Sequence, residues 1–144
     1  MKRKSFRLFA ILLVLSMLCA IPAPVAAFDS TVDTIAPRAS YYIAATYASI
    51  SENNGTVTVS FDITATGKMT SVGATMIRIK DSSGATVKTF YSSSTSGMMG
   101  YNRISYASSV TYNGTAGAKY YAVVSFKAEN SSGSDTTSYV TSYT

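Results

Sequence analysis

Residues 57–66 read VTVSFDITAT, and this stretch decides the fold class. Apolar side chains at 57, 59, 61, 63 and 65 alternate with polar side chains without exception. A period of two is typical of a β-strand that turns one face to a core and the other to water. Asn54-Gly55 comes just before the strand and readily supplies the two positive-φ residues of a tight hairpin turn, so the chain is expected to reverse there.

Similar alternation recurs on both sides of this strand. Residues 40–51 alternate weakly, with Tyr41, Ile43, Ala45 and Tyr47 on one side, and a short helix is the alternative for them. The predicted strands are 40–51, 57–66, 74–80, 86–91, 104–112, 120–129 and 136–144. Gly- and Asn-rich turns separate them, and no long helical pattern occurs after residue 27. The sequence therefore predicts an all-β domain, a seven-stranded antiparallel β-sandwich.

The segment 117–133, GAKYYAVVSFKAENSSG, carries a resemblance to a known family. Gly117 precedes Tyr120, which begins an alternating strand that ends in Ala128, Asn130 and a Gly turn. This resembles the penultimate strand and turn of immunoglobulin-like and fibronectin type III domains, although the family's Pro before that Gly and its core Trp are missing. The chain also resembles small exported proteins of Gram-positive bacteria. The resemblance implies a sandwich fold, and Tyr120 is expected in the core with its hydroxyl bonded near the strand corner.

Residues 1–27 have the features of a signal peptide. Four basic residues between Lys2 and Arg7 precede an apolar run, and Val25 and Ala27 are small residues of the kind a signal peptidase accepts. The run is shorter than the ~20 residues of a spanning helix. We therefore expect a secreted, extracellular protein beginning at Phe28, with a flexible leader at 28–38, a domain at 39–144 and no membrane contact after cleavage. Non-covalent association with the cell wall is the alternative to free release.

The net charge of +5 overstates how basic the mature protein is. Four of the twelve basic residues lie in the signal, which leaves eight against seven acidic residues. These eight are scattered, whereas binding to a phosphate backbone requires clustered Lys and Arg. Nucleic acid binding is therefore not expected. The single cysteine, Cys19, lies in the signal, so the mature domain has no disulfide.

Residue types argue against an enzyme. The chain has no histidine, which excludes Ser-His-Asp and Cys-His centres, and without His or a mature Cys it has no typical zinc ligands. Asp62 and Asp81 are the only acids that could form the carboxylate pair of a hydrolase, and nothing further in the sequence supports that role. For calcium, the acids Asp33, Glu52, Asp81 and Asp135 occur where turns are expected, but their spacing matches no calcium loop. We expect no cofactor and no metal.

Tyrosines and two methionines are the remaining candidates for a binding surface. Tyr106 and Tyr112 belong to a predicted inward row with Ile104 and Val110, whereas the set that could face outward is Tyr91, Tyr101, Tyr121, Tyr139 and Tyr143. An exposed row of rings would form a binding surface for a ligand, whereas isolated rings would only stabilise cross-strand pairs. The composition favours isolated rings. Met98 and Met99 lie between Gly97 and Gly100; the pair either contacts a partner or closes the open end of the sandwich.

We therefore expect a secreted, non-catalytic binding or structural interaction domain at or outside the cell envelope. Its partner, protein or glycan, is undefined by the sequence, and so is its oligomeric state. The possible binding surface comprises Met98, Met99, Tyr101 and Tyr121. The alternative is a carbohydrate-binding module that uses exposed Tyr residues. The uncovered last strand, 136–144, is a further place where a partner strand could pair.

Overall fold

The structure, a computed structural model, describes residues 40–144. The predicted signal peptide, the leader and Ala39 lie outside the described residues. Six strands follow one another: β1 (Ile43–Asn53), β2 (Thr56–Asp81), β3 (Thr86–Tyr91), β4 (Met99–Asn113), β5 (Tyr120–Asn130) and β6 (Gly133–Val140). No helix occurs among residues 40–144, and therefore none there could cross a membrane. The all-β prediction is confirmed for this part of the chain.

All six strands belong to one antiparallel sheet with β2 at its centre. β2 has 26 residues, enough for two partners along each edge. β1 and then β5 pair along one edge, while β4 and then β3 pair along the other, and β6 adds to β5. The sheet curls into a half-barrel, so that Phe61 near one end lies 6.2 Å, ring to ring, from Phe126 on β5. The packing is compatible with a β-sandwich, although hydrogen bonding joins both halves.

The sequence predicted seven strands, but the structure has six because the predicted strands 57–66 and 74–80 are one. The segment between them stays paired with β4, as in Met69 opposite Arg103 and Val72 opposite Gly100. Met69 and Val72 are buried, so leaving the sheet here would expose apolar surface. Register shifts against β4 and β5 bend the strand instead of ending it.

The apolar rows that the sequence predicted form the core. On β2 and β5 the buried side chains are Val57, Val59, Phe61, Ile63, Ala65, Met69, Val72, Ala74, Ile77, Ile79, Tyr120, Ala122, Val124, Phe126 and Ala128. The turn before β2 has the predicted geometry, with φ of 48° at Asn54 and 85° at Gly55. The predicted inward row on β4 is only partly correct. Val110 is buried, but Ile104 is 53% exposed because it falls in the register shift between Arg103 and Ser105.

Candidate functional site

A shallow groove crosses the outer face of the sheet where β1, β2 and β4 lie side by side. Tyr47, Ser60, Phe61, Asp62, Ala107, Ser108 and Ser109 line a space of about 520 Å³, which we call the groove. Asp62 on β2 has Tyr47 of β1 opposite it on one side and Ala107 of β4 on the other. The groove therefore takes a side chain from each of three neighbouring strands.

The groove is polar because of the same alternation that forms the core. Positions 57, 59, 61, 63 and 65 of β2 are buried, so Ser60, Asp62 and their even-numbered neighbours must face outward. Residues paired directly across a sheet share a face, which places Ser49 and Ser109 beside Ser60. Strands lie roughly 4.8 Å apart, so these hydroxyls form an ordered polar row next to the Asp62 carboxylate.

Asp62 differs from the other acidic side chains of residues 40–144. Each of those accepts hydrogen bonds: Glu52 from Gly55 N–H, Asp81 from Ser83 and Ala85, Glu129 from Ser71, and Asp135 from Ser40 and Tyr42. Asp62 accepts none from any residue in this range and is exposed. Its two oxygens are therefore available to a ligand that carries hydroxyl or amide donors.

Hydrogen bonds lower the pKa values of three of these acids, Asp81, Glu129 and Asp135. The Ser83 hydroxyl lowers the pKa of Asp81, and the Tyr42 N–H lowers that of Asp135. At Glu129 the hydrogen bond from Lys127, at 2.8 Å, lowers the pKa. These carboxylates hold the fold together in their ionised form, which is a structural role.

Tyr47 is the aromatic residue of the groove, although the weak alternation of 40–51 predicts it on the same side as Ile43. That prediction is wrong: Ile43 is buried, whereas Tyr47 is 58% exposed. A register shift between Ile43 and Ala45 inserts one residue and reverses the alternation, so that Ala48 becomes the buried neighbour. The Tyr47 ring keeps one edge contact, with Tyr139 of β6 at 5.9 Å.

The four residues predicted as a binding surface are not all on the surface. Met98 is fully buried, Met99 is partly buried, and Tyr101 is 63% exposed. Tyr121 is partly buried and contacts Tyr143, with ring centroids 5.1 Å apart. Met98 therefore closes the core, which is one of the two alternatives for the methionine pair, and it does not contribute to a binding surface.

Gly73 explains how Met98 enters the core. The Met98 carbonyl accepts a hydrogen bond from Ala74 N–H at 2.9 Å, which brings the loop against β2. A Cβ added at Gly73 would collide with that carbonyl oxygen and lie 2.8 Å from the Met99 Cα. The loop and the strand can pack this closely only because residue 73 has no side chain.

The outward tyrosines of the prediction form no continuous row. Tyr91, Tyr101 and Tyr143 are exposed, but they lie on β3, on β4 and after β6. Tyr121 and Tyr139 are partly buried, as are Tyr106 and Tyr112 of the predicted inward row. The pattern could not have identified Tyr47, because the bulge that exposes it leaves no mark in the sequence.

The acids considered for calcium do not come together. No cluster of three or more potential metal-ligating side chains occurs in the described range. Glu52, Asp81 and Asp135 each accept backbone N–H bonds in their own surroundings, and Asp33 lies outside that range. Asp81, the other member of the formal hydrolytic pair, is absent from the lining of the groove that contains Asp62.

A second depression, about 420 Å³, lies between β1 and the 117–119 loop. Its acid is Glu52, whose two carboxylate oxygens accept hydrogen bonds from Gly55 N–H at 2.6 Å and Gly117 N–H at 3.3 Å. Because these bonds hold two loops together, this carboxylate is less available to a ligand than that of Asp62.

No protein-family model, no curated protein and no solved structure matches this chain.

Proposed function

We propose that this chain is a secreted, non-catalytic binding domain that acts at or outside the cell envelope, and that its groove binds carbohydrate. Export is supported by the signal-like residues 1–27. The observation that carries the carbohydrate assignment is the combination of the exposed Tyr47 ring, the Asp62 carboxylate, which accepts no hydrogen bond from residues 40–144, and the outward hydroxyls of Ser60 and Ser109.

Sugars have the surface chemistry that this groove complements. A pyranose ring has an apolar face that packs on an aromatic ring, and Tyr47 is exposed enough to provide one. The sugar hydroxyls donate hydrogen bonds, for which the Asp62 carboxylate is a strong acceptor. Ser60 and Ser109 can donate or accept in turn. A shallow groove admits a chain of sugars without enclosing it.

The proposal includes an immunoglobulin-like or fibronectin type III-like sandwich fold. This fold assignment is supported by Tyr120, which begins β5 and whose hydroxyl oxygen accepts a hydrogen bond from Thr115 N–H at 2.9 Å. A tyrosine bonded to the backbone a few residues upstream, at the start of a late strand, is typical of that family. Curled packing of Phe61 against Phe126 is the second supporting feature.

A glycan array that includes bacterial wall and host mucin sugars tests the carbohydrate assignment. We expect binding to at least one glycan class, with an affinity that falls by about tenfold or more in Tyr47→Ala and Asp62→Asn. The matched control is Tyr101→Ala, which removes an exposed ring from β4 outside the groove. Loss of binding in Tyr101→Ala but not in Tyr47→Ala would contradict the groove as the site. Absence of binding across the array would contradict carbohydrate recognition.

A specific observation also favours protein contact as a second function. β4 pairs only with β2 among residues 40–144, and it exposes the apolar side chains of Tyr101 (63%) and Ile104 (53%) near this open edge. Open edges accept a strand from another chain. Sedimentation of the wild type and of Ile104→Lys would reveal such pairing as self-association that the charge disrupts.

A further inference from the structure

The outer face of the other half of the sheet carries positive charge, whereas the groove carries the negative charge of Asp62. Arg78 and Lys80 lie on this outer face. They alternate along β2 with Ile77 and Ile79, which are fully buried on the inner face. Arg78 is in the middle of the sheet, opposite Thr89 of β3 and Val123 of β5, and Lys80 is opposite Tyr121. We call the surface formed by Arg78, Lys80, Tyr121 and Tyr143 the basic face.

Arg78 has no counter-charge in the described part of the chain. The one ion pair among residues 40–144 joins Lys127 to Glu129. The Arg78 side chain is partly buried, and its Nε–H is buried and has no acceptor among residues 40–144. A partly desolvated guanidinium without a partner is unfavourable, and an oxyanion bound to it would supply the missing charge.

The guanidinium also suits a particular kind of anion. Its planar set of donors matches the two oxygens of a carboxylate or a phosphate. Packing of the Arg78 stem on the sheet restricts the orientation of this group before a ligand arrives, which lowers the entropy lost on binding. Lys80 adds a second positive charge on the same face, although its Nζ also donates to the Gly84 carbonyl at 3.2 Å.

Aromatic surface lies next to these charges. Tyr121 and Tyr143 pack edge to face with ring centroids 5.1 Å apart, and Tyr143 remains 54% exposed. A small inorganic anion would use only the charges, whereas a sugar that carries an acid group would use the charges and the rings together.

We propose that the basic face is a second binding site, for the carboxylate of an acidic sugar. Arg78 holds the carboxylate, Lys80 adds long-range attraction, and Tyr143 packs against the sugar ring. This site shares no residue with the groove and does not depend on the groove binding a ligand.

The test is a titration followed by ¹H–¹⁵N NMR, with trigalacturonic acid as the probe and its neutral methyl ester as the control. We expect saturable shifts of the Arg78, Lys80 and Tyr121 amides with the acid and none with the ester at about 10 mM. Arg78→Gln should weaken binding by about tenfold or more. Lys68→Gln, which removes an exposed charge from the bend of β2, is the matched control and should bind normally.

A third arm separates a sugar from a bare anion. Tyr143→Ala should weaken binding of the trimer severalfold and leave binding of inorganic phosphate unchanged. Absence of saturable shifts with the trimer, or shifts that persist in Arg78→Gln, would overturn the site. Phosphate binding as tight as that of the trimer, with Tyr143→Ala without effect, would overturn the assignment to a sugar. If Arg78→Gln does not fold, Lys80→Gln and Tyr143→Ala carry the same comparison.

Discussion

The Tyr120 hydroxyl oxygen accepts a hydrogen bond from the Thr115 backbone N–H at 2.9 Å, which links the start of β5 to the loop before it. The Tyr120 ring is buried, and Gly114 lies against it so closely that a Cβ there would be 2.8 Å from the hydroxyl. One side chain therefore fills the end of the core and also satisfies a backbone donor of the loop.

Tyr120→Phe should destabilise the fold by about 1–3 kcal/mol, because the Thr115 N–H loses its acceptor while the ring still fills the core. Urea unfolding measures the change. Tyr101→Phe is the control, since Tyr101 is 63% exposed and its loss of a hydroxyl should be neutral. Equal stability of Tyr120→Phe and the wild type would show that water replaces the Tyr120 hydroxyl as the acceptor for Thr115 N–H.

Gly73→Ala should destabilise the protein by roughly 2 kcal/mol or more, because the new Cβ collides with the backbone at Met98 and Met99. Thermal unfolding measures it. Gly67 lies in the same strand with no atom within 4 Å of an added Cβ, so Gly67→Ala should have little effect or stabilise slightly. Similar losses in both variants would contradict the close approach at Gly73.

Met98→Ala should cost about 2–5 kcal/mol through the cavity that it leaves, since Met98 is fully buried. Met99→Ala removes the same number of atoms from a partly buried neighbour and should cost clearly less. Chemical denaturation of the two variants side by side gives the comparison. If Met99 were the more sensitive position, the closing methionine would be misassigned.

Stability should fall in acid, and Asp135 should contribute to the fall. Hydrogen bonds from Tyr42 N–H and the Ser40 hydroxyl lower the Asp135 pKa in the folded state. A depressed folded pKa adds stability above the unfolded value of about 4, and this stability is lost as the pH drops through the folded pKa.

Urea midpoints between neutral pH and about pH 3 test this assignment. Asp135→Asn should lower the neutral-pH midpoint and flatten its decline in acid. Asp62→Asn, at an exposed carboxylate that accepts no hydrogen bond from residues 40–144, is the matched control. A decline in Asp135→Asn as steep as in the wild type would place the acid sensitivity elsewhere.

Much of the fold could be predicted because short-range patterns determine it. Strict alternation on 57–66 and 120–129 identified the buried rows, and the Asn54-Gly55 turn required only two residues with positive φ. Burial of Tyr120 follows from the same alternation. In these cases the residues involved are close in sequence, so local geometry is sufficient. The Tyr120 hydroxyl contact was expected from the resemblance to immunoglobulin-like and fibronectin type III domains.

The candidate sites could not be predicted in the same way. The groove joins Tyr47, Asp62 and Ser109 from three strands, and the basic face joins Arg78 to Tyr121 and Tyr143. Asp62 was identified from the sequence only as a formal catalytic acid, and Tyr47 was assigned to the wrong side. A one-residue bulge reverses every later side chain of a strand, and whether it forms depends on the partner strand.

The sequence by itself determined the strand content, the tight turns and which face of most strands is apolar, because alternation and turn chemistry are local properties. Tertiary structure decided that 57–66 and 74–80 form one bent strand, that Met98 enters the core and that the charges of Asp62 and Arg78 have no partner among residues 40–144. Those outcomes depend on pairing between distant segments, where burial of Met69 and Val72 favours a continuous strand over the break expected between residues 66 and 74.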